Sequence, residues 1–199
     1  MVIKKISYIL DNEFELSFEP IEETIIIKKT KEGGFEIKYL IPDIDYSLDD
    51  LNMDREALVV NYHRDFYIDK PDIITESEVR AWYQGKKIKQ LKDYYIYPLA
   101  CLVHSGIWLK VGFGGFVGDS GGWDTSHVGV VLVSKRLART REEARKIAFE
   151  LVNNYNKVLQ GDVYCLTKEL YNQDKKHLKH EIIGGYIGYE KALEELKVF

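Results

Sequence analysis

Apolar and polar positions alternate with period two over much of the first third of the chain. Residues 14–18 read Phe, Glu, Leu, Ser, Phe, residues 35–41 read Phe, Glu, Ile, Lys, Tyr, Leu, Ile, and residues 2–10 and 25–28 are rich in apolar side chains. Such alternation predicts half-buried strands, and Gly33 with Gly34 between two of them predicts a hairpin turn. A small β-meander over residues 1–42 is expected, followed by an acidic connection over residues 43–56.

From residue 57 the pattern becomes mixed. Ala57 to Tyr62, residues 94–103, residues 107–111 and Val128 to Val133 read as strands. Thr75 and Glu78 have the spacing of a capping box, which predicts a helix carrying Val79, Trp82 and Tyr83 until Gly85. A second box, Thr140 with Glu143, opens a helix whose Ala144, Ile147, Ala148, Leu151, Val152, Tyr155, Val158 and Leu159 fall on one face, and Gly161 ends it. Residues 162–170 predict a strand, 171–180 a polar connection, and 181–187 a short strand. Tyr189, Ala192, Leu193 and Leu196 give one face of a terminal helix. The fold class expected is α+β, a mainly antiparallel sheet with two or three packed helices over residues 57–199, preceded by the N-terminal β-meander.

Composition narrows the functional classes. The chain has 199 residues, 45% hydrophobic and 30% charged, which suits a folded globular protein. A net charge of −4 makes nucleic acid an unfavoured partner, because binding to it works through clustered Lys and Arg on phosphates. Lys86, Lys87 and Lys89, and then Lys135, Arg136, Arg139 and Arg141, are the local basic clusters, and a solvated face accounts for each. No apolar run approaches the roughly 20 residues that a membrane helix needs. No signal-peptide pattern opens the chain, and Cys101 and Cys165 sit inside apolar runs as free thiols. A reduced, cytoplasmic protein of a host cell is the expectation.

Residues 104–129, HSGIWLKVGFGGFVGDSGGWDTSHVG, hold the densest chemistry. Eight of the 15 glycines lie here, with two of the five histidines and two of the three tryptophans. Glycine loses the most backbone entropy when fixed, so this density predicts a shaped loop. His104 and Asp124, with Ser105 as a hydroxyl, are the candidate catalytic residues. Trp108, Phe113, Phe116, Asp119, Ser120, Trp123, Ser126 and His127 are candidates for binding a ligand or partner. The GDSGG pentapeptide invites comparison with trypsin-like proteases, but no upstream His or Asp stands in a matching motif. A metal on His104, Asp119, Asp124 and His127 would have none of the diagnostic spacings, so metal and cofactor stay open. GFGGFVG lacks both phosphate-loop patterns, and residues 43–54 fail as a calcium loop because Leu48 stands where glycine is needed.

YPLACLVHSGIWL, DSGGWDTSHVGVVLVSK, NNYNKVLQGDVYCLTKEL and IIGGYIGYEKALEE, in that order, resemble a family of phage and mobile-element proteins with no assigned activity. The family motifs are Y-x-HSG, a WDS-x-x-VG strand ending in VSK, Y-x-x-YL-x-GDVY and GG-[FY]-x-G, and the resemblance spans roughly residues 57–199. It places His104, Ser105, Gly106, Trp123, Asp124, Ser126, Gly129, Tyr155, Gly161, Asp162, Tyr164, Gly184, Gly185 and Gly188 on motif positions. The chain departs from the pattern at Asp119 to Gly122, where a Cys-Pro often precedes the Trp, and at His127, where Gln is common.

The resemblance and the aromatic loop together imply an accessory protein of a phage or mobile element. It would bind a host macromolecule or signalling molecule, for example to inhibit host defence. The alternatives are a small hydrolase or nuclease using His104 and Asp124, with or without a metal, and an oligomer-forming structural protein. Oligomeric state is open.

Overall fold

The computed structural model describes residues 14–52, 56–64, 73–119 and 122–199. The strand expected over residues 2–10, and Ser120, lie outside them. The chain forms two compact units, one from Met1–Tyr46 with Gly161–Phe199 and one from Ser47–Gln160. Each has its own four-stranded antiparallel sheet, so the α+β class holds with two sheets in place of one.

The discontinuous unit orders its strands β1 (Ile26–Lys29), β2 (Phe35–Pro42), β7 (Val163–Tyr171) and β8 (His177–Ile187). The Gly33–Gly34 turn forms as expected, but the hairpin does not stand alone. β2 pairs with β7 along its whole length, from Phe35 opposite Tyr171 to Pro42 opposite Tyr164. The boundary expected at residue 57 therefore does not coincide with the division of the chain. Local patterning reports which residues want a strand and not which distant strand will pair with it.

Leu40 and Leu166 face the terminal helix α3 (Tyr189–Val198), packing on its Ala192 and Leu196. Gly188 provides no capping side chain, and Asp162 does that work from the start of β7, its Oδ1 accepting the Tyr189 N–H at 2.9 Å. The opposite face carries Ile37, Tyr39 and Tyr171 under Phe14. Residues 14–18 are not a strand; their apolar side chains lie across this face, with Phe14 edge-on to Phe35 and Tyr171 at 5.1 Å each. The polar connection expected over 171–180 shrinks to residues 172–176, because β7 runs to Tyr171 and β8 begins at His177. β8 is an exposed edge strand, so its polar pattern gave no sign of pairing.

The inner unit orders β3 (Ala57–Asn61), β6 (Thr125–Ser134), β4 (Tyr94–Val103) and β5 (Ile107–Val111). α1 (Glu76–Tyr83) covers one face, with Val79 among Leu58, Val60, Leu91, Val130 and Leu132. α2 (Arg141–Leu159) covers the other, with Ala144, Ala148, Val152 and Tyr155 on Val59, Leu99, Cys101, Leu109, Val131 and Val133. Both capping boxes form as the spacing predicts. Gly129 is required by close approach: a Cβ there would stand 1.8 Å from the Val60 carbonyl oxygen. Both cysteines are free, and burial pushes each thiol up to about 11.

Candidate functional site

A register shift shapes the site. Leu99 faces Gly129 but Ala100 faces His127, so Val128 is an extra residue in β6. A bulge reverses the alternation beyond it. Val128 joins the core under α2, and His127 turns to the α1 side, where its ring lies 5.6 Å from Tyr83 and 5.8 Å from Phe113. Cross-strand partners share a face, so Leu102, Trp108 and Thr125 stand on that side with Ala100, Lys110 and His127.

The β5–β6 loop folds back over this face and is pinned to it. Lys110 donates to the Gly115 carbonyl at 2.7 Å, and its ammonium lies 5.8 Å from the Phe116 ring centre. Asp119 accepts the Thr125 hydroxyl at 2.5 Å and the Trp123 N–H at 2.9 Å, and its carbonyl accepts from Gly122. The Thr125 hydroxyl, joined by backbone N–H groups, holds the Asp119 carboxyl below its ordinary range. At the loop's root Phe113 stacks on Trp82 at 6.4 Å and meets Tyr83 edge-on at 6.0 Å. Asp119, Lys110, Phe113 and Phe116 thus fasten the loop, while Trp123, 92% exposed, and Val117, fully exposed, face solvent, as does Trp108 on β5 at 42%.

The candidate catalytic pair does come together. His104 lies in the β4–β5 turn and Asp124 just before β6, and the Val103 N–H to Asp124 carbonyl bond draws the two segments close. His104 Nδ1 is 3.6 Å from Asp124 Oδ2. Both side chains are open to water, at 78% and 50% exposure, so the pair is a surface contact worth at most about 1 kcal/mol. Ser105 is exposed in the same turn, and no hydrogen bond joins it to His104 among the described residues. Ser126 is exposed opposite Cys101, and His127 is held by Tyr83 and Phe113, away from His104. No group of three or more His, Cys, Asp or Glu is arranged to hold a metal ion among the described residues.

The hollow of this region lies beside His127. A cleft of about 800 Å³ between α1 and the start of β6 is lined by Tyr62, His63, Arg80, Tyr83 and Gln84 together with His127. Tyr83 is fixed there by donating to the Gly129 carbonyl at 2.6 Å, and burial pushes its hydroxyl up to about 12. Phe113 also borders a second cleft, of about 500 Å³, with Tyr97, Arg141 and Arg145. Neither cleft is lined by His104 or Asp124. Sequence reasoning missed Trp82, Tyr83 and the cleft; the only signal was an adjacent aromatic pair at the end of a capped helix. Compared with family models, curated proteins and solved structures, the chain finds no match.

Proposed function

We propose that the chain is a non-enzymatic binding protein that engages a host macromolecule through the β5–β6 loop, in the manner of the phage and mobile-element accessory proteins its motifs resemble. One observation carries the reading: Trp123 stands 92% exposed on a loop that Asp119, Lys110 and Phe113 hold in place. Exposed apolar groups clustered on one surface mark interaction sites. A loop already fastened loses little further entropy on binding, which is the condition for an aromatic hot spot. Inhibition of a host defence component is the role that fits such a surface in a phage-encoded protein.

The test is affinity purification from host lysate with the wild type and with Trp123→Ala. The wild type recovers a partner, and Trp123→Ala weakens its binding about 30-fold, or about 2 kcal/mol, without unfolding the chain. Recovery of neither a macromolecule nor a small ligand overturns the reading.

The 3.6 Å contact of His104 with Asp124 supports a second reading, a hydrolase or nuclease using that pair. His104→Ala and Asp124→Ala variants decide it, since unchanged biological activity in both removes catalysis.

A further inference from the structure

We infer that the cleft between the end of β5 and the start of α2 binds a nucleotide, with Arg141 and Arg145 on its phosphates and Phe113 against its base. The inference stands apart from the role of Trp123, which does not line this cleft.

The two arginines carry uncompensated charge. In a chain of net charge −4, residues 135–146 set Lys135, Arg136, Arg139, Arg141, Arg145 and Lys146 against only Glu142 and Glu143. Both acids are engaged elsewhere. Glu143 accepts the Arg139 and Thr140 N–H groups at the cap, and Glu142, the one acid on the cleft lining, lies 3.7 Å from Lys146. Arg141 and Arg145 are exposed, and neither makes an ion pair among the described residues. Their placement also runs against helix electrostatics. Arg141 is the first residue of α2, where the helix dipole disfavours a cation, and Arg145 follows one turn later, where like charges repel. Departures from local rules of this kind concentrate at functional sites.

Aromatic rings support the pair without neutralising it. The Arg141 guanidinium lies 6.0 Å from the centre of the Tyr97 ring, and that of Arg145 lies 5.4 Å from the Phe149 ring. Tyr97 also donates to the Arg141 carbonyl at 2.6 Å, which ties the start of α2 to β4. A guanidinium resting on a ring keeps its planar fork of N–H donors, the geometry that suits phosphate oxygens. The helix terminus is closed by its capping box, so side chains are what would hold the anion.

The cleft measures about 500 Å³, within the range of small-ligand sites. Gly112, at φ 126°, turns the chain out of β5 in a conformation that glycine takes without strain, and Phe113 follows at the cleft's border. Phe113 stacks on Trp82 yet stays 66% exposed, which leaves ring surface for a second flat partner. A base stacks on such a ring whatever its identity. The net charge of −4 disfavours a long polyanion, so the ligand is a free nucleotide and not a strand.

Isothermal titration calorimetry of the whole chain with ADP, GDP, CDP and UDP in turn tests this, beside pyrophosphate, the free nucleosides and a short oligodeoxyadenylate. At least one nucleoside diphosphate binds with Kd on the order of 100 μM or tighter, and pyrophosphate and the matching nucleoside each bind at least about tenfold more weakly. Arg145→Ala weakens the nucleotide at least about tenfold, and Arg145→Lys does not restore it, because the fork is lost. The melting temperature of Arg145→Ala stays level or rises, since a like charge leaves the helix. Binding of none of the four diphosphates overturns the inference, as does binding indifferent to Arg145→Ala. Pyrophosphate binding as tightly as the nucleotide would reveal indiscriminate anion attraction, and an oligodeoxyadenylate binding more tightly would reveal a nucleic-acid surface; either result also overturns it.

Discussion

At the scale of single residues, the most consequential group lies outside the candidate site. Glu169 is fully buried on β7, where it accepts the hydroxyls of Tyr39 and Tyr171 and the Ser17 N–H, with His177 Nε2 3.8 Å away. Burial pushes its carboxyl up, but the three donors outweigh burial and hold it below the ordinary glutamate range. A depressed carboxylate stabilises the fold at neutral pH, and that contribution is lost as pH falls through the folded value. Thermal melts of the wild type should therefore lose stability on acidification below the usual carboxylate range, with a flatter profile for Glu169→Gln. Glu169→Ala leaves buried donors unpaired and should cost about 3 kcal/mol or more, read as a Tm lowered by roughly 6–12 °C. Burial and then Glu169 push the Tyr39 and Tyr171 hydroxyls up. At alkaline pH tyrosinate absorbance should thus stay short of its full value until the chain unfolds. None of this was legible in the sequence, where Glu169 is one acid in an alternating strand.

At the scale of elements, α2 both buries a face and finishes an edge. Its apolar stripe and its capping box could be read from spacing alone, because period and cap are local properties. That Asn156 would imitate a neighbouring strand could not, since the partner, Leu109, is 47 positions away. Asn156→Ala should cost about 2 kcal/mol and lower Tm by roughly 4–8 °C, with faster amide exchange confined to β5. Thr140→Ala removes only the cap and should cost about 1 kcal/mol by chemical denaturation. Several positions carrying the phage-protein resemblance have their work at this scale: Gly129 admits β3, Asp162 caps α3, and Tyr155 fills the core beneath α2.

At the scale of the molecule, the inner unit is an insertion between β2 and β7. A two-stranded hairpin is marginal alone, so β1 and β2 depend on a strand that arrives more than a hundred residues later. Amides of residues 35–42 should be protected from hydrogen exchange in the whole chain and exchange freely in a fragment ending at residue 160. Persistent protection in the fragment would show that β7 is not what holds the hairpin. The candidate site obeys the same limit. His104 and Asp124 could be suspected of meeting because one hairpin and one loop separate them, but the open hollow formed beside His127.

The sequence by itself determined the helices, the caps of α1 and α2, most strands, the Gly33–Gly34 turn and the loop as the seat of exposed aromatics, because each follows from the spacing or the φ freedom of neighbouring residues. Tertiary structure alone decided that Phe35–Pro42 and Val163–Tyr171 share a sheet, that a bulge at Val128 turns His127 toward Tyr83, and that Asp119 is a fastening. Those outcomes depend on which distant backbone groups find each other, and hydrophobic pattern carries no record of partners.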